Sequence, residues 1–341
     1  MVNPVTVSIV TVSECALLAK SVHRILTSTR PIDINVRKDV IGIETKLFAD
    51  GNSRPQIMSS VRRTEVYFFY AMPQREPEKG LARLESILNA LHLASPISIK
   101  VIMPYIEGRQ DRKDAPRTAI TAKVLARAIE REQSVNGVVT FDLHSEQLML
   151  AFDNPVDNLW GQRLLATHAK SMMNPNEKFG VVSPDVGSTK RAKKFAIKAG
   201  LPLLGVIDKE RTDANEVGGM HYLGNDLTGY HVIFPDDLID TGGTMVLAHH
   251  LARSLGAIDC TAYTTHWLAS PKGVLGNRDY TAENKFRDAG LKVVALNTIP
   301  RPQCYASAHA DFLTFVECDD MLASAIAESL TPAGSVSMLS E

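Results

Sequence analysis

The stretch His231-Val-Ile-Phe-Pro-Asp236-Asp237-Leu-Ile-Asp240-Thr241-Gly242-Gly243-Thr244 holds the densest chemistry in the chain. An apolar run passes into two adjacent acids, then Asp-Thr-Gly-Gly-Thr, then a helical pattern. Glycines let a backbone approach a ligand closely and adopt positive φ. Thr241 and Thr244 add hydroxyl donors. A helix start offers unpaired N–H groups and a positive dipole end, which suit a phosphate monoester. Carboxylates repel phosphate but accept hydrogen bonds from the vicinal hydroxyls of a sugar. Sugar and phosphate together mean a ribose phosphate. A bare Asp-x-Gly-Gly-Thr is as often an ordinary strand-to-helix turn; the whole string carries the reading.

Four other sets have chemical types at useful spacing. Lys209 and Arg211 lie two apart, so an extended backbone would turn both to one face. Two cations there would stabilise charge on transferring phosphates, although alone they read as a solvated basic pair. Asp142 and His144 are also two apart, at an expected strand end. Carboxylate oxygens suit Mg²⁺, whereas an imidazole is an unusual ligand for it. Arg109-Gln-Asp-Arg-Lys-Asp114 alternates basic and acidic groups. Arginine there can neutralise phosphate or stack on a base, and the bland alternative is a surface run. Gly187-Ser-Thr-Lys190 superficially evokes a P-loop, but the order Gly-x₄-Gly-Lys-[Ser/Thr] is missing, so that reading is rejected.

These residues need a frame to hold them. Strands are expected near 5–12, 40–48, 65–71, 97–104, 136–142, 179–183, 202–207, 230–234, 259–265, 292–297 and 312–317. Leu81, Leu84, Leu88 and Leu91 recur at three- and four-residue spacing, which predicts a helix over 81–93. Residues 121–132 and 244–255 read the same way. Alternating strands and helices imply α/β architecture with largely parallel sheets. At 341 residues, and with so many strands, two sheets in tandem fit better than one. The expected divide is near Asn158–Gly161. A faint echo links Asp142-Leu-His144 to Asp236–Asp240, each at an expected carboxyl end of a strand, where open sheets place ligands.

Composition bounds the partners. Lys+Arg is 37 and Asp+Glu is 38, a formal net charge of −1. That leaves no basic excess to draw the protein to nucleic acid or an anionic membrane. The four cysteines form no C-x-x-C pair, which excludes a dense disulfide framework and a cysteine-rich zinc site. A reduced, cytoplasmic setting is expected. No apolar run approaches a membrane span, and Glu14 interrupts the first apolar stretch, so no signal segment is expected.

The 231–244 string resembles the phosphoribosyl-diphosphate-binding motif shared by type I phosphoribosyltransferases and ribose-phosphate diphosphokinases. Arg109–Asp114 with Ile120-Thr-Ala-Lys123, Phe141-Asp142-Leu-His144, Phe152-Asp153-Asn-Pro-Val-Asp157, Val182-Ser-Pro-Asp185-Val-Gly-Ser-Thr-Lys190-Arg191 and Lys209-Glu-Arg211-Thr-Asp-Ala-Asn215 resemble the diphosphokinase family, in its order, over roughly residues 40–340. The first forty residues match poorly. The resemblance implies two tandem phosphoribosyltransferase-like (type I) domains, each a mostly parallel sheet flanked by helices. It places an ATP-side domain at 1–159, joined by the tail 318–341, and a ribose 5-phosphate-side domain at 160–317. It implies transfer of a diphosphoryl group from Mg-ATP to the anomeric hydroxyl of ribose 5-phosphate, with release of AMP.

Roles follow from the same resemblance. Lys209 and Arg211 are catalytic, on a flexible closing loop. Phe48, Asp50, Asn52, Arg109, Gln110 and Asp114 bind ATP. Asp236, Asp237, Asp240, Thr241, Gly242, Gly243 and Thr244 bind ribose 5-phosphate. Asp185, Gly187, Ser188 and Thr189 form the diphosphate loop. His144 and Asp185 contact Mg²⁺, supported by Asp142, Asp153 and Asp157. Ser60, Arg62, Ser335 and Ser337 resemble parts of a phosphate- and ADP-responsive pocket, in a homo-oligomer of two to six copies. Two departures stand out: Asn52 occupies a position that is usually Glu, and Ser188 one that is usually Gly. Asn52 motivates an alternative, a related diphosphokinase with another nucleotide donor or another ribosyl phosphate acceptor such as ADP-ribose. A non-catalytic regulatory paralogue is a further alternative, as is a phosphoribosyltransferase, which would leave Arg109–Asp114 unexplained.

Overall fold

The computed structural model describes residues 5–29, 34–74, 76–107, 116–213, 216–270, 281–331 and 334–339; for 209–213 and 216–218 it describes the backbone alone. In chain order the strands are β1 (Val5–Thr11), β2 (Ile34–Val36), β3 (Ile41–Leu47), β4 (Ser53–Ile57), β5 (Glu65–Phe69), β6 (Ser98–Ile102), β7 (Val135–Phe141), β8 (Val156–Leu159), β9 (Lys178–Ser183), β10 (Leu203–Asp213), β11 (Glu216–Gly224), β12 (Tyr230–Ile239), β13 (Asp259–Trp267), β14 (Lys292–Leu296) and β15 (Leu313–Val316). The helices are α1 (Ala16–Thr29), α2 (Pro77–Leu93), α3 (Thr121–Ile129), α4 (Gln162–Met172), α5 (Thr189–Ala199), α6 (Gly243–Ser254), α7 (Ala282–Ala289), α8 (Tyr305–Ala308) and α9 (Asp319–Leu330).

The chain divides into two compact units, Met1–Trp160 with Cys318–Glu341, and Gly161–Glu317. The first holds a sheet of order β4-β3-β1-β5-β6-β7-β8, with β2 also on β1. The second holds β11-β10-β9-β12-β13-β14-β15. Every pairing is parallel except the edge hairpins β3–β4 and β10–β11. The two orders match position for position, so each unit repeats one α/β plan. β5 in the first unit corresponds to β12 in the second, and β7 to β14.

That correspondence corrects the expected echo. Asp142 follows β7 and Asp236 belongs to β12, so they sit at non-equivalent strands. Nor does Asp236 follow its strand. β12 runs to Ile239 because Asp236, Leu238 and Ile239 pair with Thr264, His266 and Trp267 of β13. Four strands lack a clear signal in the sequence: β2, β4, β8 and β11. Each is short, interrupted by Pro55 or rich in glycine, and each lies on or near a sheet edge, where apolar alternation is weakest.

Helix α2 buries Leu84, Leu88 and Leu91 of the expected stripe together with Ile87, while Leu81 is half-buried, and the helix begins at Pro77, ahead of the expected start. α3 stops at Ile129, three residues short of the expected end. Glu130 turns out of the helix and its carboxylate accepts from the N–H groups of Asp153 and Asn154 at 3.0 and 2.6 Å. The core of the second unit gathers Trp267, Phe286, Phe312, Phe234 and Val182 between sheet and helices.

Candidate active site

Open parallel sheets bind ligands outside the carboxyl ends of their strands, where successive connections leave in opposite directions. In the second unit that point lies between β9 and β12. β9 connects outward to β10 on one side, and β12 to β13 on the other. The residues expected to hold diphosphate follow β9, and those expected to hold ribose 5-phosphate span the carboxyl end of β12 and the turn after it, so the strand order brings 185–189 beside 236–244.

The loop after β9 is held by its own side chains. Ser183 donates its hydroxyl to the Asp185 carbonyl at 2.7 Å, and the Ser188 N–H donates to Asp185 Oδ1 at 2.7 Å. Thr189 closes the turn by donating to the Val186 carbonyl at 2.8 Å. Ser188 has φ −86°, a conformation open to any residue, so serine costs nothing where the family favours glycine. It is buried, and its hydroxyl accepts from Arg191 at 3.4 Å.

Arg191 then reaches the neighbouring strand. Its guanidinium stands 3.4 Å from Asp236 and 3.1 Å from Asp237. Gln162 donates its side-chain amide to the Asp236 carbonyl. Burial raises the Asp236 carboxyl well above the ordinary range; the adjacent Asp237 charge adds to this, and Arg191 opposes it. Arg191 thus pairs with both adjacent acids, whose carboxyl oxygens are hydrogen-bond acceptors.

The chain then turns onto α6. Gly242 has φ +72°, and a Cβ there would meet Phe286 Cε2 at 2.4 Å. Both conformation and packing require glycine at that position. Gly243 differs: a Cβ there would meet nothing within 4 Å. The space over the start of α6 is open, and Gly242 caps the helix without a side-chain hydrogen bond. The first-turn N–H groups therefore face an open cradle that suits an anion. From behind, Lys285 of α7 donates to the Thr241 carbonyl at 2.8 Å.

Lys209 and Arg211 lie on β10, where the sheet continues as an antiparallel ribbon with β11. Backbone pairing draws this segment into a β-hairpin, where the family resemblance implies a flexible loop. Lys209 faces Met220 and Arg211 faces Val217 in the register, which shifts between Glu210 and Arg211 and again before Asp213. Their side chains lie outside the described residues.

In the first unit the topologically equivalent hairpin is β3–β4, whose tip holds Phe48, Asp50 and Asn52. The tip is closed by Phe48 N–H to Asn52 O at 2.8 Å and Gly51 N–H to Phe48 O at 2.9 Å. The Asn52 backbone N–H and side-chain amide both donate to the Asp50 carboxylate, at 3.0 and 2.8 Å. These two bonds, the backbone one first, hold the Asp50 carboxyl below its usual range. Phe48 is exposed, with the Arg54 guanidinium 5.9 Å from its ring centre. Arg109, Gln110 and Asp114 fall outside the described residues.

Asp142 and His144 follow β7, as expected, and Asp142 has φ +31°. Its N–H donates to Leu159 O at 3.0 Å, which ties the turn to β8. Asp157, on β8, is paired with Lys100 at 3.2 Å, and Asp153 is exposed beside Glu130. Among the described residues no three or more His, Cys, Asp or Glu side chains form a metal cage. Mg²⁺ ordinarily takes one or two carboxylates together with phosphate oxygens and water, a donor chemistry that Asp142 or Asp185 fits singly. Ser60 accepts from the Arg62 N–H at 3.3 Å, and the Ser335 and Ser337 hydroxyls bond to each other at 2.5 Å.

A cavity of about 390 Å³ lies at the opposite end of the second sheet, lined by His168, His231, Asp259, Tyr263 and Lys292 among others. It sits at the amino-terminal ends of β12 to β14 and reaches only the apolar start of the 231–244 string, with none of the residues expected to bind ribose 5-phosphate or diphosphate. Arg191, Gln162, Lys285 and Phe286 had no assigned role in the sequence. Arg191 lay within a recognised motif; the other three gave no local signal.

Residues 7–132 match the model of the N-terminal domain of ribose phosphate pyrophosphokinase. The chain is 39% identical over 256 residues to a ribose-phosphate pyrophosphokinase of Wolinella succinogenes, covering 74% of this chain and 78% of that one. It is 36% identical over 290 residues to the protein of that name from Helicobacter hepaticus, covering 83% and 87%. The crystal structure of phosphoribosylpyrophosphate synthetase from Mycobacterium smegmatis superposes with a TM-score of 0.78 at 28% identity, over 95% of this chain and 98% of that one.

Proposed function

The chain belongs to the ribose-phosphate pyrophosphokinase family, and from that premise we propose that it is a diphosphotransferase acting on Mg-ATP and ribose 5-phosphate. The anomeric oxygen attacks the β-phosphorus of ATP and loses its proton. The bond from that phosphorus to the oxygen shared with the α-phosphorus breaks. AMP leaves, and phosphoribosyl diphosphate remains.

The observation that carries this reading is the pair of loops at the switch point of the second unit. Asp236 and Asp237, held by Arg191, accept from the ribose hydroxyls. Thr241 to Thr244 and the start of α6 take the 5-phosphate, and Asp185 to Thr189 take the diphosphate. Phe48, Asp50 and Asn52, with Arg109, Gln110 and Asp114, take the nucleotide. Lys209 and Arg211 neutralise charge that grows on the transferring group. His144 and Asp185, supported by Asp142, Asp153 and Asp157, would hold Mg²⁺, which supplies charge neutralisation on the polyphosphate.

A homo-oligomer in the cytoplasm completes the proposal, with Ser60, Arg62, Ser335 and Ser337 answering phosphate or ADP. The cysteines support the reduced setting, since all four are free thiols in the fold. No helix of the described residues is long and apolar enough to cross a membrane. The test is AMP release by the purified chain across a panel of nucleoside triphosphates and ribosyl phosphates. Turnover of ATP with ribose 5-phosphate is expected. Silence with that pair but turnover with another would replace the substrates, and silence throughout would leave a regulatory chain.

A further inference from the structure

Lys285 is a lysine with only 8% of its surface exposed. Lysines are seldom buried unless their ammonium is satisfied. Lys285 satisfies it on the backbone carbonyl of Thr241, 2.8 Å away and 44 residues back in the chain. The next residue, Phe286, presses on Gly242, whose missing Cβ makes room for its ring edge. Phe286 is itself braced edge-on against Trp267, with ring centres 5.2 Å apart. Successive residues of α7 thus grip successive residues of the ribose 5-phosphate loop.

A trans peptide is planar, so its C=O and N–H point in opposite directions. Drawing the Thr241 carbonyl toward α7 turns the Gly242 N–H the other way, toward the open side of the loop. The same stretch carries Asp236, Asp237 and Asp240, which would repel a phosphate dianion. A buried ammonium behind the loop offsets part of that field at short range. We infer that Lys285 is a positioning residue for the 5-phosphate: it sets the Thr241–Gly242 peptide so that an N–H, not a carbonyl, meets the anion. The inference rests on reading 240–244 as the ribose 5-phosphate loop.

The test is steady-state kinetics and calorimetric ribose 5-phosphate binding for Lys285→Met and Lys285→Arg. Loss of a charge-assisted bond at the phosphate loop should raise the KM and Kd for ribose 5-phosphate about tenfold in Lys285→Met, about 1.4 kcal/mol. The KM for ATP should stay unchanged, and Lys285→Arg should recover most of the loss. A ribose 5-phosphate KM equal to wild type, or an equal rise for ATP, overturns the inference. Should Lys285→Met not fold, Lys285→Gln takes its place: a raised KM beside a near-normal Lys285→Arg supports the role, and equal values overturn it. A wild-type chain without turnover of ribose 5-phosphate overturns both this inference and the reading beneath it.

Discussion

Replacing Arg191 by methionine removes a guanidinium that pairs with both Asp236 and Asp237. The side chain of Asp237 is 4% exposed and that of Asp236 is 16%. Removing one partner of a buried ion pair costs about 3–5 kcal/mol. Arg191 is itself 25% exposed, and Asp236 can relieve the strain by keeping its proton, so the expected loss is nearer 2 kcal/mol. In a unit of this size that is a fall of about 4–8 °C in melting temperature. The pH dependence discriminates. Burial and Asp237 already raise the folded-state pKa of Asp236 above its unfolded value. The native state therefore binds more protons between those values, and stability falls as pH rises through that window. Without Arg191 the window extends upward, so the deficit of the variant should grow with rising pH across an acid-to-neutral range. Thermal melts of both proteins across that range provide the measurement. In parallel the KM for ribose 5-phosphate should rise, and more at low pH, where a protonated Asp236 no longer accepts from the sugar. An unchanged melting temperature, or a deficit that is flat with pH, would refute the electrostatic reasoning.

Lys209→Ala and Arg211→Ala should each lower kcat about a hundredfold or more with little change in KM, as loss of a transition-state contact does; a change confined to KM would remove them from the catalytic role. Gly242→Ala should cost about 3 kcal/mol, from positive φ and collision with Phe286, and denaturant midpoints will read it. By contrast Gly243→Ala meets open space, so its stability should stay near wild type while ribose 5-phosphate binding weakens. Asn52→Ala removes the amide bond to Asp50 and should raise the KM for ATP with no effect on that for ribose 5-phosphate; equal effects on both would separate this tip from the nucleotide.

Much of the candidate site could be read from the chain because it is local. Asp236, Asp237, Asp240, Thr241 and the two glycines fall within residues 236–243, since one strand end and one helix start suffice for the proposed phosphate cradle. The same holds for 185–189 and for 48–52. The α/β class followed from alternating strand and helix patterns, and α2 from its leucine spacing. The edge strands β4, β8 and β11 were not legible, because a strand paired on one side can bury too little to leave an apolar signature, although the edge strand β15 was. What only the tertiary structure decided is which local pieces meet and what braces them. Arg191 and Asp236 are 45 residues apart, and Lys285 and Thr241 are 44. They meet because β9 lies beside β12, and because α7 packs Phe286 against Gly242. Motif spacing records which groups a ligand needs. Sheet order and helix packing determine how those groups are aimed, because contacts between distant residues leave no periodicity in the chain.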